Sequence, residues 1–377
     1  MMIRDKNDPN YRQCNLSVMD NIADPNITFD DDGICNYYYE YLEAEKQHVL
    51  KGEAGEAKFN EIVARIKADG KEKKYDCILG VSGGVDSTYL AYLAREAGLR
   101  VLCVHFDNGW NSELAVKNIQ NIVEKCGFDL YTCVIDWEEF KDIQLSYFKA
   151  NVIDIEAVTD IAIFSSIDKI CRELRIKHII DGRNVVTEAT LPEAWYCKNT
   201  SNLRDIHKHF GTLKLKNYPL MCPIRRRLVT RFKSFESWPL LNYKFYDKNL
   251  AKKKIISELS WRDYGGKHYE SVFTRFYQGY ILPKKFMVDK RKAHLSNLIF
   301  SGQITKDFAI KELGKPIYPE QIFEQDLNFV LKKLGYTKED FETYLNTPAV
   351  SHDKYEMSLS IFDEYPMLKP FKILFNK

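Results

Sequence analysis

Between Tyr75 and Gly182 the chain alternates short apolar runs with longer stretches that are apolar on one helical face only. Asp76-Cys-Ile-Leu-Gly80-Val81 has the length of a buried strand. After the turn Ser82-Gly83-Gly84, the residues Leu90, Leu93, Ala94 and Ala97 recur at the spacing of one helix face, and Gly98 ends the pattern. Arg100 to Phe106 predicts a second strand. A helix follows, with Ser112 as N-cap, Ala115, Ile119, Ile122, Val123 and Cys126 on one face and Gly127 as its stop. Leu130 to Ile135 predicts a third strand. Two helical stretches, about 138–150 and 156–175, lead to a fourth, His178-Ile-Ile-Asp181 before Gly182. Strands and helices alternating in this way predict an α/β fold, a doubly wound parallel sheet covered on both faces, with its ligand at the carboxyl ends of the strands.

Past about residue 235 the alternation fades. Ile322, Phe323, Leu327, Val330, Leu331 and Leu334 form one helix face that stops at Gly335, and Thr337 begins a Thr-Lys-Glu-Asp cap. The chain therefore divides into an N-terminal segment, 1–45, a sheet domain with a leading helix, 46–235, and a helical region, 236–377, available to a substrate or partner. In the first segment, Asp30-Asp31-Asp32-Gly33 has the look of a calcium loop. Aligned as one, it puts Thr28 first and Tyr39 last, where a carboxylate is required, so a turn is expected. Cys14 and Cys35 lack the partners of a C-x-x-C pair, since Ser17 and Tyr38 stand there, and zinc is not expected.

Composition narrows the partners. With 45% hydrophobic and 29% charged residues a disordered chain is excluded. Lys+Arg 55 against Asp+Glu 53 leaves a net charge of +2, so no global attraction to nucleic acid or to a membrane is expected, and any polyanion site must be a local patch. No apolar run is long enough to span a bilayer and the first residues are polar. Nine cysteines is an odd number, and Cys77, Cys103 and Cys133 lie in strand-like runs, which suits core packing in a reducing, cytoplasmic setting.

The turn at 82–87 carries the chemistry. Its glycines allow close backbone approach, and its N–H groups, the hydroxyls of Ser82 and Ser87 and the following helix start make an anion nest for phosphate. No Lys precedes Ser87 and there is no G-x-G-x-x-G, so kinase-like and dinucleotide readings lose support. The hexapeptide Ser82-Gly83-Gly84-Val85-Asp86-Ser87 resembles the S-G-G-x-D-S pyrophosphate loop of the PP-loop ATP pyrophosphatases. That resemblance implies ATP cleaved between its α and β phosphates. Ser82, Gly83, Gly84, Asp86 and Ser87 would hold the pyrophosphate, and His105, Phe106 and Asp107 would face the adenosine. Gly182-Arg-Asn184-Val-Val-Thr-Glu188 is similar to the loop of NAD synthetases whose Glu holds Mg²⁺, with Asn one place early. By this likeness Glu188, with Asp86, would be a ligand of the Mg²⁺ that travels with ATP, and Gly182 and Asn184 would line the nucleotide site.

Longer stretches narrow the family. Val18-Met-Asp20, Asp24-Pro25-Asn-Ile-Thr-Phe-Asp30 and Gly33-Ile-Cys-Asn36 resemble the opening of bacterial N-acetyl sugar amidotransferases of surface polysaccharide and nonulosonic acid pathways. So do His105-Phe-Asp-Asn-Gly-Trp-Asn111, the run from Trp261 through Lys267, His268, Glu270 and Arg275 to Tyr280, and Lys290-Arg291-Lys-Ala-His294-Leu-Ser296. The family's two cysteine pairs are reduced here to Cys14 and Cys35. The resemblance implies that an N-acetyl group of a sugar becomes an acetamidino group, with catalytic roles for Asp86, Glu188, Lys267 and Arg275. It also implies ammonia delivered by a separate glutaminase through a barrel partner, similar to the two parts of imidazole glycerol phosphate synthase. Lys267, His268, Arg275, Lys284, Lys285, Lys290 and Arg291, interleaved with aromatics, suit an anionic, ring-bearing ligand, and Arg225-Arg226-Arg227 is a second basic cluster. A PP-loop tRNA-modifying enzyme, thiolase or ligase, is the main alternative, weakened by the +2 charge and the absent C-x-x-C. A nucleotide-binding module without catalysis would have no need of Glu188 or the basic stretch.

Overall fold

A computed structural model describes residues 6–221, 235–266, 269–318 and 320–357. Its centre is a five-stranded sheet, β1 (Cys77–Gly80), β2 (Val101–Asp107), β3 (Asp129–Val134), β4 (His178–Ile180) and β5 (Glu236–Trp238). The order is β3-β2-β1-β4-β5, and every pairing is parallel. The helices Val85–Glu96 and Glu113–Cys126 carry the chain outward from β1 to β3. The helices Trp137–Ala150 and Ala157–Glu173 then return it to β4, beside β1, where Ile78 pairs with Ile179 and Leu79 with Ile180. The winding direction reverses between β1 and β4, so the loops leaving their carboxyl ends diverge and open a crevice.

The apolar runs of β1, β2 and β4 became strands because their residues are covered on both faces. β3, at the sheet edge, departs from the expected covering, with Leu130, Tyr131 and Val134 exposed and only Cys133 half-buried. Cys77 and Leu79 face Phe59, Ile62 and Ile66 of the helix Gly52–Gly70 together with Leu90 and Ala94. Ile78 faces Leu102, Val104, Ile170 and Cys171 on the opposite side. The predicted caps are in place: Ser112 Oγ accepts from the Ala115 N–H at 3.2 Å, and Gly127 ends that helix at φ +67°. Cys77 and Cys103 are fully buried, as core residues, and burial pushes both thiols up. The sequence pattern showed four strands; β5 is three residues, Glu-Ser-Trp, too short and polar to register, and it lies just past the boundary drawn at 235.

In the N-terminal segment Asp30–Gly33 forms a turn, with the Ile34 N–H on Asp30 Oδ1 at 2.8 Å and Gly33 at φ +73°. Cys14 and Cys35 are buried side by side: the Cys35 N–H donates to Cys14 Sγ at 3.3 Å, and Ser17 Oγ lies 3.9 Å from Cys35 Sγ. Among the described residues no group of three or more His, Cys, Asp or Glu is gathered for a metal ion. The helical region includes Glu320–Leu334 and Lys338–Asn346, the latter opened by the Thr337–Asp340 capping box. Its aromatic residues pack together, with Phe276 and Tyr280 in ring contact with each other and each with both Phe323 and Phe341. No helix among the described residues is long and apolar enough to cross a membrane.

Candidate active site

The loop 82–87 leaves β1 at the crevice. Gly83 turns the chain at φ +80°, and a side chain there would meet the Tyr264 hydroxyl at 2.7 Å, so only glycine fits. Gly84 caps the helix Val85–Glu96 without a side-chain hydrogen bond from outside, which leaves the first N–H groups of that helix for a guest. Inside the loop the Gly84 N–H donates to Ser82 Oγ at 3.3 Å, and Ser87 Oγ and Thr88 Oγ1 donate to the Gly84 carbonyl at 3.2 and 2.6 Å. These bonds fix the nest before any ligand arrives.

A strap from the second half of the chain holds the loop from outside. Trp261 Nε1 and the Tyr264 hydroxyl both donate to the Gly83 carbonyl, each at 2.7 Å. Arg262, between them, is tied by its backbone to Asn118, N–H to Oδ1 at 2.9 Å and carbonyl to Nδ2 at 2.9 Å. Tyr246, 4% exposed, donates its hydroxyl to Asp86 Oδ1. Burial and the Asp86 charge push its phenol well above the ordinary range, so it remains a donor.

These groups enclose a cavity of about 250 Å³. Ser82, Gly84, Asp86 and Ser87 line one side, Gly182 and Glu188 the other, and Lys248, Lys252 and Glu270 close it. Gly182 is required by close approach: a Cβ there would lie 3.1 Å from the Ser87 nitrogen and 3.2 Å from Asp86 Cβ. Four carboxylates, Asp86, Glu188, Asp263 and Glu270, line a cavity that also offers an anion nest and two lysines, of which Lys252 is paired with Asp263 at 2.7 Å. They are not gathered into a preformed cation cage, which suits a Mg²⁺ that arrives on a triphosphate and needs only one or two protein oxygens. Asp86 and Glu188 fit that role, and the bound Mg²⁺ would neutralise phosphate charge there.

Other expected residues stand elsewhere. Asn184, 4% exposed, is a helix cap: its Oδ1 accepts from the Thr187 N–H and Oγ1, both at 2.9 Å, and its Nδ2 donates to the Gly182 carbonyl at 3.2 Å. Its amide is occupied in holding the short helix Val185–Glu188, and thus Glu188, in place. His105, Phe106 and Asp107 do not line the cavity. His105 Nδ1 lies 3.0 Å from the Val81 carbonyl and Nε2 3.0 Å from Asn111 Nδ2, while Asp107 Oδ1 accepts from the Gly109 N–H at 2.8 Å. They shape the loop after β2, which is stapled to the second half by the Ser112 N–H on the Glu270 carbonyl and the Val272 N–H on the Trp110 carbonyl. Arg275 is taken up by a bidentate ion pair with Asp326, at 2.7 and 2.8 Å, beside Tyr318, so its charge is spent on packing the helical region. Lys267, His268 and Arg225–Arg227 lie outside the described residues. Sequence reasoning missed Tyr246, Lys248 and Lys252, which carry no motif. Trp261, Tyr264 and Glu270 lay in a stretch it had singled out.

Two family models match the chain, "Queuosine biosynthesis protein QueC" over residues 76–219 and "LPS biosynthesis protein WbpG-like, C-terminal domain" over residues 270–368. The uncharacterized protein MJ1599 of Methanocaldococcus jannaschii is 26% identical over 273 residues, 70% of this chain and 81% of that one. A tRNA(Ile)-lysidine synthase of Chlamydia pneumoniae is 36% identical over 77 residues, so this chain spans only 24% of that relative's length and the match 19% of its own. Among solved structures, NMN synthetase from Francisella tularensis matches at 16% identity over 34% of this chain and 55% of its own, with a TM-score of 0.28. NH3-dependent NAD synthetase from Campylobacter jejuni matches at 15% identity over 41% and 72%, also with a TM-score of 0.28. The loop, its place at the β1/β4 crevice and the QueC match define a PP-loop, ATP-utilising protein. Its second half makes it a PP-loop protein with a WbpG-like C-terminal domain, which bears out the resemblance read from the sequence.

Proposed function

We propose that the protein is an ATP-dependent amidotransferase that converts the N-acetyl group of a sugar to an acetamidino group, in surface polysaccharide synthesis. An amide is a poor electrophile, and its oxygen must become a leaving group before a nitrogen nucleophile can replace it. The acetamido oxygen attacks the α-phosphorus of Mg·ATP, the bond to the β-phosphate oxygen breaks, and pyrophosphate leaves. The cation so formed releases its nitrogen-bound proton to solvent and becomes the neutral O-adenylyl imidate. Ammonia adds to its carbon, and AMP departs with the electron pair of the C–O bond.

One observation carries this reading: Trp261 and Tyr264, just ahead of the WbpG-like region, grip the Gly83 carbonyl of the pyrophosphate loop. Glu270, the first residue of the WbpG-like stretch, lines the same cavity, so that stretch meets the part that handles ATP at one site. The protein's share is positioning and charge neutralisation by the loop amides and Lys248, with Asp86 and Glu188 as the residues that would hold the metal. Ammonia would come from a separate glutaminase through a barrel partner, in the cytoplasm. Incubation with Mg·ATP, ammonium and N-acetylated sugars should release AMP and pyrophosphate only when the sugar is present. The tRNA(Ile)-lysidine synthase likeness favours a second reading, modification of a tRNA base. Turnover with tRNA alone would establish that reading and end the first.

A further inference from the structure

A larger cavity, of about 580 Å³, opens on the far side of Glu188, between the helix Asn36–His48, the loop after β4 and the helix Arg291–Phe300. Glu188 lines both this space and the pyrophosphate cavity, so an occupant would stand beside the phosphate chain. Its wall includes Thr190, 5% exposed, whose Oγ1 is buried without a hydrogen-bond partner. The backbone that carries this hydroxyl is fixed. The Thr190 N–H donates to Asn297 Oδ1 at 3.0 Å, and Asn297 Nδ2 donates to the Thr187 carbonyl at 3.3 Å. A buried hydroxyl left unfilled destabilises the fold, and one held this firmly is a feature that calls for a guest.

The surroundings say what kind of guest. Ala189, Ala293 and Trp195 make a wall of small and flat apolar surface. The cations at the rim are already matched: Lys198 by Asp160 at 2.9 Å, Lys290 by Glu156 at 3.3 Å and Arg183 by Asp181 at 2.9 Å. A neutral group with one polar bond and a methyl end suits this surface better than a phosphate.

Building on the amidotransferase reading, we infer that this cavity is the acceptor pocket for the acetamido group of the sugar. The methyl rests on Ala189, Ala293 and Trp195, and Thr190 Oγ1 accepts from the acetamido N–H. The oxygen then points past Glu188 to the α-phosphate. The placement is chemically apt, because the N–H proton grows acidic as the oxygen is adenylated and an acceptor on it favours the attack. A neighbouring cavity of about 400 Å³, which shares Lys290 and His294, is the competing location.

The test is saturation-transfer NMR of the acetyl methyl of UDP-N-acetylglucosamine and of N-acetylneuraminic acid on the full chain with Mg·ATP. At least one probe should show methyl saturation. Ala189→Phe and, from a different element, Ala44→Phe should each reduce it about tenfold or more, with Mg·ATP titration unchanged as the control for folding. Thr190→Val should weaken the bound probe by about threefold to tenfold. Leu295→Trp, which fills the competing cavity, should leave the methyl saturated. Absence of saturation for both probes, or its loss in Leu295→Trp with retention in Ala189→Phe and Ala44→Phe, would overturn the assignment. The two claims fail separately: sugar-dependent AMP release unaffected by Ala44→Phe sinks the pocket alone, whereas a pocket that binds the probes without any AMP release sinks the amidotransferase reading.

Discussion

Trp261 Nε1 donates to the carbonyl of Gly83 at 2.7 Å, across 178 residues of sequence. The bond lies on the outside of the pyrophosphate nest and orients the peptide whose neighbours face the phosphates. Trp261→Phe keeps an aromatic ring, though a smaller one, and removes the donor. One neutral hydrogen bond is worth about 0.5–1.5 kcal/mol, so Mg·ATP should bind about threefold to tenfold more weakly. Because Trp261 is buried against Ile255 and Leu259, the smaller ring should also lower thermal stability. Titration calorimetry with Mg·ATP on both proteins checks this. Equal affinity would mean that the strap does not set the loop.

Gly182 faces the helix start at Asp86 and Ser87, where an added methyl group would press on the backbone at 3.1–3.2 Å and force it to shift. Gly182→Ala should cost about 1–3 kcal/mol of stability through overpacking and should also weaken Mg·ATP. Gly80, whose added Cβ meets nothing within 4 Å, is the matched control and should tolerate Ala. Urea denaturation of the two variants measures the difference.

Asn184 and Glu188 form a cap and its cargo. Glu188→Gln should lower sugar-dependent AMP release by about a hundredfold, the scale of losing one charged group at a transition state. Asn184→Ala should have a smaller effect, since a lost cap costs about 1 kcal/mol and only loosens Glu188. If Asn184 acts through Glu188, the double variant should be no slower than Glu188→Gln, and additive losses would assign Asn184 a role of its own.

Burial pushes the Asp154 carboxyl up to about 7, against the pull of Lys290 and of the Cys197 N–H, which donates to Asp154 Oδ2 at 2.8 Å. A carboxyl raised in the folded state binds its proton more tightly there than in the unfolded chain. Its contribution is fully present below about pH 4 and is lost as pH rises to about 7, by about 4 kcal/mol at most. Asp154→Asn keeps an acceptor for the Cys197 N–H and cannot ionise. Its melting temperature should therefore lose the decline between those limits and exceed that of the native protein at pH 8. Parallel thermal melts across pH decide it.

The sheet domain was legible in the sequence because its strands are continuous apolar runs and its helices carry one apolar face, bounded by Ser112, Gly127 and Gly98. The pyrophosphate loop was legible because a nest needs small residues in fixed order. Partners brought in from afar were not. Tyr246 meets Asp86 from 160 residues away, and nothing local in its sequence marks that contact. Asn184 and Arg275 went the other way: each has the right chemistry for a ligand contact, yet Thr187 and Asp326 satisfy them first. Polar residue type shows what a side chain can bind, and only packing shows what already occupies it.

The most direct measurement follows the acetamido oxygen. With an N-acetylated sugar labelled with heavy oxygen in its acetyl carbonyl, plus Mg·ATP and ammonium, the account predicts that the label appears in AMP in equal amount to the amidine formed. Unlabelled AMP, or ADP in place of AMP, would contradict it.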